Sequence, residues 1–324
     1  MKAPLRVGVD VGGTNLRVGV FSGHELLWSS RRHAGFTEIC RREAAPEALR
    51  QVLETLAQAV GEARERYPLV QSVGIGFPGF IAPAARIVTL SPNLPGLLDA
   101  DFVTPLAGRL DLPVWLENDA LAAAYGEYLL ARPDSGSLLY VGLGTGVGGG
   151  LVLHGKPYSG EHGVAMELGH LIVAPGGRRC GCGNAGCLEQ YASATGIRRS
   201  YGDGGGDTAL PEVPAIAALA RQGEVRALQA FEQAGLFLAT ALAHVLKIVD
   251  VAQVVVGGGL SHAWPLMAPA FQAHLDAALI PALRGRIRVD VSRGEDRAGM
   301  LGAAALGASH AAAPDPSGQN SNMP

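Results

Sequence analysis

LRVGVDVGGTNLRVGVF, Leu5 to Phe21, reads as an apolar strand, a glycine turn and a second apolar strand. The same order recurs at SLLYVGLGTGVGGGLVLHG, Ser137 to Gly155, as an ancient internal duplication would leave it. In such turns small residues let main-chain N–H groups approach an anion, and the hydroxyls of Thr14 and Thr145 can each add a hydrogen bond to a phosphate oxygen. Two facing hairpins of this kind form a phosphate clamp, whereas either one alone is also compatible with an ordinary glycine-rich hairpin. Two better-known nucleotide motifs fit only in part. Gly144-x-Gly146-x-x-Gly149 matches the dinucleotide fingerprint, and Gly150-x4-Gly155-Lys156 begins like a P-loop. Both require a helix next, but LVL reads as a strand and Pro157 stands where the P-loop needs Ser or Thr.

Outside the two turns, strands and helices alternate. Pro46 to Pro68 carries a proline at a helix start, apolar residues at helical spacing and a proline to end it. VQSVGIGFPG reads as a buried strand, followed by a proline-punctuated loop to about Pro95. PVWLEN is a short strand running into the helix DALAAAYGEYLLA. Helices follow near Pro214 to Arg221 and Glu224 to Ile248, then strand AQVVVGGG, a helix from about Ala263 to Ile280, strand RIRVDVS and a helix from Ala298 to about His310. The pattern is α/β. The glycine-rich stretch near Tyr201 to Thr208 and the tail Ala311 to Pro324 read as disordered.

Composition excludes several classes. At 324 residues, with 48% hydrophobic and 17% charged residues, the chain is that of a soluble globular protein of roughly two domains. A formal net charge of -3 leaves no basic surplus for a nucleic-acid backbone or an anionic membrane. Asp10 interrupts the N-terminal apolar run too early for a signal peptide, so a cytoplasmic location is expected. Gly235 to Leu260 is apolar but broken by His244, Lys247, Asp250 and Gln253, and suits a buried helix entering a strand better than a membrane span.

Three of the four cysteines, Cys180, Cys182 and Cys187, lie within eight residues, ten residues after His170. In a reducing compartment clustered cysteines are better read as metal ligands than as disulfides. Three sulfurs and one nitrogen make a closed tetrahedral shell suited to structural zinc, with no open position for a reacting water. The competing reading is a turn rich in unligated cysteine. Cys40 is most simply a spare thiol.

DVGGTN, FPG, SPNLPG, ENDA, GLGTGVGGG, ELGH with CGCGNAGCLE, and VVVGGG occur in this order between residue 5 and about residue 305. In these motifs the chain resembles the ROK family of sugar kinases, most of all its bacterial ATP-dependent glucokinase branch. The resemblance implies an α/β, actin-like ATPase (ribonuclease H-like) fold of two domains flanking an active-site cleft, closing around ATP and a hexose. Residues 1–117 are expected to form a small N-terminal domain, with the helix at about 298–310 packing back on it. Residues 118–297 are expected to form a large domain carrying the zinc loop. The implied partners are a hexose and ATP with magnesium, in a homodimer or homotetramer, with no nucleic acid and no membrane. Members of the family that act as repressors carry a DNA-binding domain ahead of the first glycine turn, where only nine residues precede Asp10 here.

Phosphoryl transfer to a sugar hydroxyl needs a group to accept the proton, and Asp119, at a strand-to-helix junction, is the candidate base. Asn118 or Asp119 could also simply cap the helix. By the resemblance Asn118 and Asn93 contact the sugar, as do Glu167, Glu189 and the unligated nitrogen of His170, because carboxylates can accept hydrogen bonds from several hydroxyls. Their alternative is to be solvent-facing acids beside a zinc knuckle. Asp10 is expected to orient magnesium or its waters, unless it is only a turn-former. Gly12, Gly13, Thr14, Asn15, Thr145 and Gly146 are expected at the phosphates, and Gly257 and Gly258 beneath the adenosine, where a generic strand-to-helix turn would fit nearly as well. SPNLPG and the CxC-x4-C spacing point to glucose. N-acetylglucosamine and N-acetylmannosamine kinases share the other motifs, fructokinase is a more distant possibility, and a sugar-sensing regulator without a DNA-binding domain is the non-enzymatic one.

Overall fold

The computed structural model describes residues 3–203, 210–294 and 296–311. The first glycine turn closes a hairpin. β1 (Leu5–Val11) and β2 (Asn15–Ser22) pair antiparallel with Val11 opposite Leu16, and the Gly12 N–H donates to the Asn15 carbonyl at 2.9 Å. β3 (Glu25–His33), α1 (Phe36–Arg42), α2 (Ala45–Arg66) and β4 (Val70–Phe77) follow. Next come three short strands, β5 (Phe80–Ile81), β6 (Val88–Leu90) and β7 (Leu98–Ala100), then α3 (Val103–Leu110), β8 (Val114–Asn118) and α4 (Asp119–Ala131).

Five strands form a sheet in the order β3-β2-β1-β4-β8, antiparallel from β3 to β1 and parallel from β1 to β8. β4 is buried along almost its whole length, as a central parallel strand covered on both faces must be. β3 alternates exposed and half-buried residues, which suits an edge. The loop expected after Phe77 contains a small antiparallel sheet, β5-β6-β7, whose strands of two or three residues are too short to leave a periodic signal.

The second glycine turn joins β9 (Leu138–Leu143) to β10 (Val147–Leu153), which returns through β11 (Lys156–Pro157). The glycine run therefore continues as a strand hairpin, where both rejected nucleotide motifs would need a helix. α5 (Glu189–Ala192), α6 (Ala194–Gly202), α7 (Val213–Arg221) and α8 (Val225–Val249) lead into β12 (Gln253–Gly257), α9 (Trp264–Ala278) and β13 (Arg288–Val291). The sheet order is β11-β10-β9-β12-β13, antiparallel up to β9 and parallel beyond it, so strand order and directions repeat those of the first sheet. α8 is long and apolar enough to cross a membrane, but it buries Phe231, Leu238, Leu242 and Leu246 in the core of this unit. Tyr201 and Gly202, expected in a disordered loop, complete α6, where Tyr201 joins the same core. Residues 204–208 of that loop and 312–324 of the tail lie outside the described residues, and Ala311 closes the last described helix.

The last described element is α10 (Arg297–Ala311). The chain's contacts divide it into one unit of Met1–Leu130, Glu161–Gly163 and Asp296–Pro324, and another of Ala131–Gly160 and Val164–Glu295. The division after Leu130, rather than at 117, follows from packing: Ala122 and Gly126 of α4 lie directly against the backbone of α10. α10 also lies on β1 and β4, where a methyl group added at Gly74 would overlap the Ala303 carbonyl, and one at Gly8 that of Met300. Backbone on both sides leaves little room to adjust. Gly74→Ala is therefore expected to cost about 3 kcal/mol of stability, at the upper end of ordinary overpacking. Denaturant unfolding of the variant, with the wild-type midpoint retained as the contrary result, checks this.

Candidate active site

In the first unit the carboxyl ends of three parallel strands lie side by side. Asp10 on β1 pairs with Gly76 on β4, and Phe77 with Asn118 on β8. This is the sheet edge where α/β folds bind ligands. The Asn118 side chain is committed twice: Oδ1 accepts from the Leu121 N–H at 3.0 Å, capping α4, and Nδ2 donates to the Gly79 carbonyl at 3.0 Å. The capping role therefore falls to Asn118, and its part in holding sugar would have to use what remains of its amide. Asp119 Oδ1 accepts from the adjacent Ala120 N–H at 2.8 Å.

Asp10 does not face the turn alone. Arg17 Nη1 donates to its Oδ2 at 2.8 Å, and Arg17 Nε lies 2.8 Å from Asp296. Burial raises the Asp10 pKa, and Arg17 opposes this. Glu117, immediately before the Asn–Asp pair, is also raised by burial, although it pairs with Arg86 at 3.2 Å and accepts the Asn118 N–H at 3.1 Å. Arg86 also stacks on Trp115, 3.5 Å from the ring centroid. The first glycine turn is latched to the SPNLPG loop by Thr37, whose N–H donates to the Gly13 carbonyl at 2.9 Å and whose hydroxyl donates to the Asn93 carbonyl at 3.0 Å. Thr14 and Asn93 are exposed.

In the second unit β12 runs parallel to β9 with Gly257 beside Gly142. The sheet thus brings Gly257 and Gly258 to the same edge as the turn at 144–146. Thr145 is exposed at the tip.

The four proposed metal ligands converge. One donor atom from each of His170, Cys180, Cys182 and Cys187 lies within 4.8 Å of the others. His170 Nδ1 is 3.7 Å from Cys180 Sγ, and Cys182 Sγ is 3.6 Å from Cys187 Sγ. Ligands about 2.3 Å from a tetrahedral zinc stand about 3.8 Å apart, so the spacing fits that ion. Burial among the other sulfurs pushes the Cys187 thiol up to about 12, a cost that a bound cation would reverse. Cys40 is buried in the core of the first unit, away from any such cluster among the described residues.

Glu167 stands beside this cluster with Oε2 3.9 Å from His170 Nε2, the nitrogen turned away from the sulfurs. At that distance the carboxylate is within ion-pair reach of the imidazole but beyond hydrogen-bond length. Burial and the charge of Glu189 raise the Glu167 pKa, while His170 lowers it. The charge of Glu189, at the far side of the cysteines in sequence, therefore reaches Glu167 in the fold. Glu189 begins α5, and its Oε2 accepts the Val147 N–H from the glycine hairpin at 3.1 Å. A methyl group at Gly146 would overlap that carboxylate.

Arg17, Thr37, Arg86, Glu117 and Arg178 were not among the residues legible in the sequence. Each works through a partner at least seven residues away or through a local main-chain bond, and no motif spacing announces it.

A model of the ROK family matches residues 6–310. The chain is 33% identical over 313 residues to the glucokinase of Thermotoga maritima, covering 93% of this chain and 96% of that one. It is 35% identical over 318 residues to the N-acetyl-D-glucosamine kinase of Salmonella heidelberg, covering 92% and 98%. A ROK family glucokinase from Streptomyces griseus, solved in complex with glucose and AMPPNP, superposes with a TM-score of 0.78 at 31% identity, covering 94% of this chain and 99% of that one. The match runs through both glycine turns, the cysteine loop and the returning helix, and the chain belongs to the ROK family, a sugar kinase on the actin-like ATPase fold.

Proposed function

We propose that the chain is a glucokinase that transfers the γ-phosphoryl group of ATP to the 6-hydroxyl of glucose in the cytoplasm. The observation that carries the reading is Asp119, set at the carboxyl end of β8 by a helix whose cap is supplied by its neighbour. In this role Asp119 accepts the proton of the 6-hydroxyl as that oxygen attacks the phosphorus in line and ADP leaves. Glu167 and Glu189 accept from other sugar hydroxyls, with Asn93 and the outer face of His170 completing the set. The main-chain N–H groups around Gly12, Gly13, Asn15 and Gly146 and the hydroxyls of Thr14 and Thr145 hold phosphate oxygens, and Gly257 and Gly258 let the adenosine approach. Magnesium, when bound, neutralises triphosphate charge. With Arg17 on one oxygen, Asp10 is suited to orienting that ion's waters rather than to supplying a full charge.

Glucose is favoured by the contiguous SPNLPG and the likeness to the Thermotoga maritima glucokinase. The second reading, an N-acetylglucosamine kinase, is supported by an equally near relative. Release of ADP measured across glucose, mannose, fructose, N-acetylglucosamine and N-acetylmannosamine separates them. The expected kcat/KM for glucose exceeds the others by about tenfold or more, the scale on which a pocket rejects a substrate that differs slightly in size. A higher value for either N-acetyl sugar replaces glucose in the proposal.

The same assay tests the phosphate turns. Thr14→Val and Thr145→Val each remove a hydroxyl at nearly constant volume, and are expected to raise the KM for ATP about tenfold, the value of a hydrogen bond to a charged group. The KM for glucose should change much less. An unchanged ATP KM in both variants would make the twin hairpins architecture only.

A further inference from the structure

Arg178 stands two residues before Cys180, and none of the roles above uses it. Its main-chain N–H donates to the Tyr191 hydroxyl at 2.9 Å, and its carbonyl accepts from the Gly186 N–H at 2.8 Å. Its guanidinium donates to the carbonyls of Gln190 at 2.7 Å and Gly196 at 3.2 Å, to Ser200 Oγ at 3.0 Å and to Asp203 Oδ2 at 2.7 Å. It also lies over the Tyr191 ring, 4.7 Å from the centroid. Five hydrogen bonds and a ring contact thus tie the cysteine loop to α5 and α6 through a residue that is not a metal ligand.

α5 needs such support. A helix of four residues cannot hold itself, because its nucleation cost exceeds what one turn returns. Its first residue is Glu189, and Arg178 grips the carbonyl of the next, Gln190. From the same segment two bonds reach the second glycine turn: Glu189 Oε2 accepts the Val147 N–H at 3.1 Å, and the Ala194 N–H donates to the Gly144 carbonyl at 2.8 Å. We infer that Arg178 is a positioning residue for the glycine turn at 144–146 as well as for Glu189, acting through α5 and the head of α6. Assigning that turn to ATP and Glu189 to sugar rests on the reading under Proposed function. The consequence is specific. Loss of the metal disturbs the cysteine loop while Arg178 still holds α5, whereas loss of the guanidinium releases the carboxylate and the turn together.

The test uses the full-length enzyme with Arg178→Met, which keeps an unbranched apolar stem, and Arg178→Lys, whose single ammonium cannot reproduce a planar fork. Arg178→Met is expected to retain its metal and its fold while raising the KM for both ATP and glucose about tenfold, with kcat changed much less, as loss of a charge-assisted clamp implies. Arg178→Lys should recover only part of the loss. Hydrogen exchange at the amides of 144–147 should rise in Arg178→Met before any substrate is added. If Arg178→Met does not fold, Ser200→Ala combined with Asp203→Asn removes only the outer acceptors, and a smaller shift in the same three readouts is expected. Folded variants with unchanged exchange at 144–147 and an unchanged ATP KM overturn the inference. Should the wild type phosphorylate no sugar, the kinase reading fails, and exchange at 144–147 alone still decides for or against Arg178.

Discussion

Asp119→Asn is expected to reduce kcat for glucose phosphorylation by about 10²- to 10⁴-fold, the usual cost of removing a general base. The amide keeps the size of the side chain and can still accept from the Ala120 N–H, as the carboxylate does at 2.8 Å. It cannot take the proton of the sugar hydroxyl. The helix cap belongs to Asn118, so the substitution leaves α4 intact and stability should hardly change. Glucose binding, measured by calorimetry on the preparation used for kinetics, should stay close to wild type. A variant that turns over within about threefold of wild type would lie outside the range for a general base and eliminate Asp119 from that role.

Removing the metal should have the second large effect. The four donor atoms lie within 4.8 Å of one another, and a zinc held by all four would have no position left at which to activate water. Its expected role is to hold the cysteine loop in register with Glu167 and Glu189. About one zinc per chain is expected from metal analysis. Stripping it with a strong chelator, or replacing Cys182 by Ser, is expected to weaken glucose binding about 10- to 100-fold, the scale on which disturbed metal surroundings change activity, and to lower the melting temperature. ATP binding should persist, because Glu189 and the glycine turn remain joined through the Val147 N–H. Protein free of zinc as purified, or a metal-free form that binds glucose as tightly as the native form, would break the link between the cysteines and the flanking glutamates.

The glycine hairpins were legible because the signal is local: apolar runs on both sides of small residues, met twice at the same place in a repeating strand order. Helices such as α2 and α8 were equally readable from spacing and from the prolines or charges at their ends. β5 to β7 were not, since two- and three-residue strands exist only through partners brought to them. The contact units divide after Leu130 and not at 117, and nothing in α4 itself says that its glycine will meet the backbone of α10.

The site shows the same contrast. Cys180, Cys182, Cys187 and His170 could be grouped from residue type and spacing, and their atoms do converge. At the Asn118–Asp119 pair the sequence leaves the cap open between the two residues, and only the Leu121 N–H bond assigns it to Asn118. The partner of Asp10 is seven residues away on a neighbouring strand, and that of Glu189 is 42 residues away on a hairpin. Long-range pairing of this kind changes what a carboxylate can do without leaving any mark in its own motif.

The most direct measurement is nuclear magnetic resonance of the reaction product. The purified chain is incubated with ATP, magnesium and glucose labelled at C6, and carbon and phosphorus spectra are followed together. The account predicts ADP and one new phosphomonoester whose phosphorus couples to C6 of the sugar, formed by the wild type and not by Asp119→Asn. Phosphate at any other carbon, or an unchanged sugar beside intact ATP, would contradict it.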